Sequence, residues 1–125
     1  MRVWILGVEL HGFPVPGVRS PNDAVVAGAR GATIGSHQYQ GAVFVYQKPS
    51  GGWSDMTAET AVLTASDGAE NDGLGAAVAI DGETIVGSAP NHKPDGAVYV
   101  FVRPPSGWLS GTQTAELSTT GGTEV

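Results

Sequence analysis

The densest group of potential ligands in this 125-residue sequence is Asp67, Glu70 and Asp72 with Asn71, inside the run Ser66-Asp67-Gly68-Ala69-Glu70-Asn71-Asp72-Gly73. Several oxygens within one loop could hold a cation weakly. The same composition also serves a plain turn, in which Asp and Asn accept backbone hydrogen bonds while Gly supplies unusual dihedrals. The turn reading is favoured. Histidine offers a second pattern: His37 lies four residues before Gly41, and His92 four before Gly96. Two imidazoles on one rim could bind a metal or sense mild acid. They stand in separate loops, however, with no third ligand beside them, so the expectation is solvated loop histidines and no metal centre.

Catalysis would need a nucleophile with a base, or a carboxylate pair, held in a pocket. The sequence contains no Gly-x-Ser-x-Gly elbow, His-Glu-x-x-His zinc helix or phosphate-binding glycine loop. Gly73-Leu74-Gly75 leads into a strand pattern rather than a helix, which removes a dinucleotide reading. The expectation is a protein that is not an enzyme. Trp53 and Trp108 each follow a Ser-Gly turn. Exposed aromatics could stack on sugar rings, but packing of each Trp under its own turn is the favoured reading.

The elements that must position these residues follow from composition. Nineteen Gly and eight Pro break the backbone often, and helix-favouring residues are few, so short strands joined by turns fit best. Hydrophobic residues make up 41% and charged residues 14%, which is too apolar for a wholly disordered chain. Six Lys plus Arg against twelve Asp plus Glu give a net charge of −6, with the cations scattered singly. No basic stripe exists to neutralise phosphates, so nucleic acid is not an expected partner. The absence of Cys removes disulfides, thiolate nucleophiles and Cys-based metal sites. No stretch reaches the roughly 18–20 apolar residues of a membrane-spanning helix. Arg2 and the apolar run that follows it end at Glu9 and His11, short of a signal-peptide core.

A repeat organises the chain. Gly41-Ala42-Val43-Phe44-Val45-Tyr46-Gln47-Lys48-Pro49-Ser50-Gly51-Gly52-Trp53 aligns without a gap to Gly96-Ala97-Val98-Tyr99-Val100-Phe101-Val102-Arg103-Pro104-Pro105-Ser106-Gly107-Trp108, 55 positions on. Upstream, residues 24–29 align with 84–89; downstream, residues 61–64 align with 115–118. The spacing changes only where loop lengths differ, which is the behaviour of a repeated structural unit. Each unit reads as four strands. In the second they fall at 76–80, 84–86, 97–102 and 113–118, with Asp81-Gly82 marking a tight hairpin whose two central residues have positive φ. In the first they fall at 17–20, 24–29, 41–47 and 60–64. Four-stranded units with small residues on one strand and bulky ones on the next describe blades of a β-propeller. A β-sandwich tolerates such strands but gives no reason for two matching units.

The run Leu63-Thr64-Ala65-Ser66-Asp67-Gly68, then residues 72–90 from Asp72-Gly73-Leu74-Gly75 to Gly87-Ser88-Ala89-Pro90, then Gly96-Ala97-Val98-Tyr99-Val100-Phe101, resembles the FG-GAP repeat of integrin-α-like propellers, especially the bacterial secreted versions. Leu74-Gly75 stands where the family has Phe-Gly, and Ser88-Ala89-Pro90 where it has Gly-Ala-Pro. In the first unit Gly28-Ala29-Arg30 takes the latter place. The resemblance implies an all-β fold of two four-stranded antiparallel propeller blades in an incomplete ring. It also implies an extracellular or cell-surface location and a role in adhesion and ligand binding. Blades of this family often bind Ca²⁺ in an Asp-rich loop between strands one and two. Here the corresponding residues, Pro21-Asn22-Asp23 and Asp81-Gly82-Glu83, are too few and too poor in carboxylates to surround the ion. No cofactor is expected.

The chain accordingly divides into an unassigned segment 1–16, a first blade 17–64, an inter-blade loop 65–74, a second blade 75–118 and a tail 119–125. In a four-strand meander, the loops between strands two and three share one rim with the loop between blades. The contact residues expected there are His37, Gln38, Tyr39, Glu70, Asn71, Asn91, His92, Lys93 and Asp95. They would present a surface to a protein or glycan partner. An accessory repeat region of a secreted hydrolase, or a spacer without ligand, is the alternative. Two blades do not close a ring, so the sequence points to a fragment, an open pair, or a protomer of a homo-oligomer that completes a propeller.

Overall fold

Ten strands and no helix make up the regular structure among the described residues of the computed structural model, which are 24–118 together with the backbone of Val3–Ile5 and Val8–His11. In chain order the strands are β1 (Val3–Ile5), β2 (Val8–His11), β3 (Ala24–Ala29), β4 (Ala42–Gln47), β5 (Ala61–Thr64), β6 (Val78–Asp81), β7 (Thr84–Ala89), β8 (Ala97–Val102), β9 (Gly111–Thr112) and β10 (Ala115–Leu117). One sheet has the order β1-β2-β3-β4-β5-β9 and the other β10-β8-β7-β6. The chain is all-β: two antiparallel meanders of the propeller-blade kind, packed together without closing a ring.

The strand registers reproduce the sequence repeat. The inner hairpins close on Ala29↔Ala42 and Ala89↔Ala97. The outer pairs are Val43↔Leu63 and Val45↔Ala61 in the first sheet, and Val98↔Leu117 and Val100↔Ala115 in the second. Aligned residues therefore occupy aligned places in space, and differences between the units can be read position by position.

The two units bury opposite faces of that shared pattern. The first buries Val43, Val45 and Leu63, whereas the second buries Tyr99 and Phe101, whose counterparts are Phe44 and Tyr46. Val43 meets Gly87, which is paired with Tyr99 on the buried face of the second sheet. Like units stacked front to back, as blades are about an axis, require this alternation. Two equivalent sheets closing symmetrically on one core do not. Each fully buried Val, Leu, Ile or Phe side chain in the shared core contributes about 1.5–3 kcal/mol. On the second unit's outward face Leu117 is 55% exposed, while its counterpart Leu63 is 3% exposed.

The connection between the sheets enters through glycine. A side chain at Gly28 would place Cβ 2.2 Å from the Gly75 carbonyl oxygen, and one at Gly41 would lie 2.1 Å from that of Leu74. Gly75, at φ +99°, and Ala76 both donate to the Ser88 carbonyl, at 2.9 and 3.3 Å, which makes a β-bulge ahead of β6. This aims Leu74 into the core, where it is fully buried.

Four features differ from the sequence reading. The strand expected at 17–20 lies outside the described residues; the edge of β3 is taken by β2, from the segment left unassigned, with β1 beyond it. Strand β9 was not expected. After β8 the chain crosses to the first sheet and pairs parallel to β5 through Leu63↔Gly111 and Thr64↔Thr112, then returns as β10. Too short to show a pattern, β9 is held by Ser110 Oγ accepting from Val62 N and Gln113 Oε1 accepting from Ser66 N, each at 2.9 Å. The Asp81↔Thr84 pair makes Gly82-Glu83 the turn of the second hairpin, and Gly82 alone has positive φ. This is the II′ arrangement, glycine first, rather than two left-handed residues. The tryptophans also part company: Trp108 packs in the core at 5% exposed, whereas Trp53 is 43% exposed. Front-to-back stacking explains the difference, because only the second unit's turn lies against a neighbouring sheet.

Replacing Gly28 by Ala should lower unfolding stability in urea by about 3 kcal/mol, because the new methyl meets fixed backbone. Gly51→Ala, where the space is open, should stay within about 0.5 kcal/mol. Equal midpoints for the two variants would show that the close approach does not constrain the fold.

Candidate functional site

Three loops form one surface at the rim: residues 30–41 between β3 and β4, residues 65–75 between the sheets, and residues 90–96 between β7 and β8. Backbone hydrogen bonds stitch them together. Asn71 N donates to Gln38 O, Gly73 N to Tyr39 O and Leu74 N to Gln40 O, each at 2.9 Å. Asn91 N donates to Asp72 O at 3.2 Å on the other side. The inter-sheet loop is therefore the middle layer, and its neighbours are the two loops that the sequence repeat made equivalent.

Tyr39 and Asn71 are the non-glycine residues with positive φ among the described residues, at 58° and 70°. Asn adopts this region readily, but Tyr does so rarely, and such residues persist where surrounding contacts hold them. Both line a hollow of about 700 Å³ whose wall also includes Arg30, Gly73, Pro90 and Asn91. Tyr39 is exposed there. A second hollow of about 640 Å³ is lined by Glu70, Asn71, Asp72, Asn91, His92 and Lys93. Of the nine residues expected at the rim, Tyr39, Glu70, Asn71, Asn91, His92 and Lys93 thus border one or both hollows. His37, Gln38 and Asp95 line neither.

The histidines are not alike. His37 is exposed, with Nδ1 2.9 Å from Gln40 Oε1. Gln40 is buried, and its amide fills the space where a side chain at Gly68 would lie. His92 contradicts the expectation of a solvated loop imidazole: its side chain is 14% exposed and sits among three carboxylates. Nδ1 is 2.6 Å from Asp72 Oδ2, while Nε2 is 3.3 Å from Asp67 Oδ2 and 3.5 Å from Glu116 Oε2. The ring stands edge-on to Tyr99, with centroids 5.9 Å apart. The Tyr99 hydroxyl, on a fully buried residue, donates to Asp67 Oδ1 at 2.8 Å.

The acidic run divides its labour. Asp72 Oδ2 accepts from Ala69 N at 2.9 Å, which is the backbone-capping role expected of a turn. The same buried carboxylate also fixes the His92 ring. Asp67 reaches outward to Tyr99 and Glu116. Glu116 was missed by the sequence reading, which placed it only on an outer edge strand. The signal was present in the repeat: Glu116 stands at the place of Val62, and Tyr99 at that of Phe44. The same blade is built once with apolar residues and once with this polar pair.

Electrostatics follow from the crowding. Burial pulls the His92 pKa down, but the hydrogen bond to Asp72 and the charges of Asp72, Asp67 and Glu116 outweigh it, leaving the imidazole above its ordinary 6.5. Burial, then the hydrogen bond that Glu116 donates to Asp67 and the Asp67 charge, raise Glu116 above 4.5. Burial also lifts Asp67, but hydrogen bonds from Glu116 and Tyr99, with the His92 charge, bring it below 3.8. Asp67 and Glu116 thus separate as unequal partners, with Asp67 the one that keeps its charge. Tyr99 is pushed up by burial and its bond to Asp67, so it remains a donor.

Residues 57–101 match the family model of the FG-GAP repeat, so the chain carries an FG-GAP repeat. The match opens ahead of β5 in the first sheet and runs through β8 in the second, so the sequence unit bridges the seam on which the rim loops lie. No curated protein and no solved structure matches the chain. No helix among the described residues is long and apolar enough to cross a membrane.

His92 makes stability depend on pH in a defined direction. A raised folded-state pKa means that the folded chain holds the proton more tightly. The contribution is full below the unfolded value of 6.5 and is lost as pH rises through the higher folded value. Urea unfolding with a chelator present should therefore show stability falling as pH is raised from about 6 toward 8. His92→Gln should remove that slope. A slope unchanged in the variant would place the titrating group elsewhere.

Proposed function

We propose, taking the chain as an FG-GAP repeat protein built of propeller-type blades, that it is a non-catalytic extracellular binding module whose rim loops take up a partner, a glycan before a protein. The observation that supports this most directly is the hollow of about 700 Å³ where the three rim loops meet, bordered by Tyr39, Arg30, Asn71 and Asn91. An exposed phenol ring offers a flat apolar face to a sugar ring, and two amides offer paired donors and acceptors to vicinal hydroxyls. A guanidinium beside them suits a carboxylate-bearing sugar. The left-handed backbone at Tyr39 and Asn71, held by the hydrogen bonds between the rim loops, sets the direction in which these side chains leave the chain. The cell surface or the extracellular space is the location in which such a module would meet its partner.

Self-association belongs to the same reading. The outward face of the second unit, with Val98, Val100, Val102 and Leu117, corresponds to the face of the first unit that the second covers. A second copy offering its first unit would meet it front to back and extend the stack. Ser88 stands where Gly28 admits Gly75, so the new contact would form around a wider rim than the internal one.

Binding of the intact chain to an array of glycans and extracellular-matrix proteins tests the first part. A bound glycan should lose at least tenfold affinity on Tyr39→Ala and on Asn91→Ala, whereas Ser106→Ala, at the opposite end of the blades, should bind as the parent does. Absence of any ligand, or binding indifferent to Tyr39, would refute the rim as the site. For the second part, light scattering should give a mass above that of a monomer, and Val100→Lys should return it to one copy. A monomeric parent would exclude self-association.

A further inference from the structure

His92, Asp67 and Glu116 come from three separate segments: the β7–β8 loop, the inter-sheet loop and β10. One ligand atom of each lies within 4.8 Å of the others. We propose that these three side chains form a binding site for a divalent transition metal of the zinc class, distinct from the rim hollow and independent of the glycan reading.

The first support is geometric. His92 Nε2 stands 3.3 Å from Asp67 Oδ2 and 3.5 Å from Glu116 Oε2. These lengths are long for charge-assisted hydrogen bonds, which run at about 2.7–2.9 Å. They match the edge, about 3.4 Å, of a tetrahedron whose metal–ligand bonds are about 2.0–2.1 Å. One imidazole and two carboxylates suit zinc or manganese, with the remaining corner open to water on the exposed side of Asp67.

The second support lies behind the ligands. A metal-binding histidine donates its other ring nitrogen to a carboxylate or carbonyl, which sets the tautomer and aims the lone pair. His92 Nδ1 is held in this way by Asp72 at 2.6 Å. The Asp72 side chain is 5% exposed and is itself fixed by the amide of Ala69. Asp67 has a comparable support, since the Tyr99 hydroxyl takes its Oδ1 at 2.8 Å and leaves Oδ2 toward the imidazole.

The third support is the repeat, which acts as an internal control. The first unit forms the same strands with Phe44 and Val62 in the places of Tyr99 and Glu116. Neither polar residue is needed to build the blade, and the two occur together, beside the histidine whose counterpart, His37, turns to Gln40 instead. Three carboxylates around one imidazole leave an excess of negative charge even with the ring protonated, and a divalent cation neutralises it.

The test is titration of the intact chain with Zn²⁺ alone at pH 7.5 by calorimetry, with Co²⁺ as a spectroscopic probe of coordination and Ca²⁺ as the hard-cation comparison. One equivalent of Zn²⁺ should bind, Co²⁺ should show the visible absorption of a low-coordinate site, and Ca²⁺ should bind far more weakly. Glu116→Val installs the residue that the first unit already carries, so the blade should keep its circular dichroism while Zn²⁺ affinity falls at least tenfold. Asp72→Asn should cost about 10–100-fold, and His92→Ala should abolish binding. No Zn²⁺ binding by the parent, or binding unchanged by Glu116→Val and His92→Ala, overturns the proposal; the cluster would then hold only a proton.

Discussion

The structure depends on a backbone contact that no side chain could share. At the rim, the Leu74-Gly75 step of the inter-sheet connection passes so close to Gly28 and Gly41 that a Cβ on either glycine would collide with its carbonyl oxygens. Everything else in the seam takes its position from that passage. The bulge opposite Ser88 turns the chain into β6, and Leu74 drops into the core against Gly87. The loop ahead of it is laid along the β3–β4 loop, where three of its amides find acceptors. A close approach of main chain to main chain is unforgiving because neither partner can rotate away.

From this constraint follows the arrangement of chemistry. Because the middle loop is clamped between two equivalent loops, Asp72 lies within reach of His92 on one side, and Asn71 lies beside Gln38 on the other. Front-to-back packing then determines which strand positions are buried. In the second unit the Tyr99 face turns inward, so a hydroxyl at this position needs a partner and finds Asp67. In the first unit the equivalent face carries Phe44 beside Val62. The repeat thus separates what a blade requires from what this blade has added.

The rim hollow and the His92 cluster use that scaffold differently. The hollow is open, and side chains on its border, Tyr39 among them, reach solvent. The cluster is internally bonded around a mostly covered imidazole, with Asp67 and Glu116 reaching the surface and its charges in mutual competition. That competition explains why Asp67 and Glu116 shift in opposite directions although both are carboxylates on neighbouring segments. Asp67 accepts bonds from several donors; Glu116 has the Asp67 charge as its closest neighbour.

Much of the fold was legible in the residues themselves. Glycine and proline frequency, β-branched and aromatic runs at Val43 to Tyr46 and Val98 to Val102, and the gapless repeat pointed to short strands in two matching four-stranded antiparallel units. Local pattern and periodicity carry such information because strands and turns are short-range choices. The rim location of Tyr39, Asn71 and Asn91 came from the same logic, since the direction of each strand fixes the end at which its loop emerges. What the sequence could not decide was pairwise distance across the seam. Whether His92 faced water or Asp72, whether Glu116 lay on an idle edge or against Asp67, and where Gly111 and Thr112 would pair all depend on how two units dock. Docking is set by side-chain volume and by the close passage at Gly28 and Gly75, which are tertiary quantities. A repeat in the sequence reveals equivalent positions, but only the packed structure reveals which of two equivalent positions is enclosed.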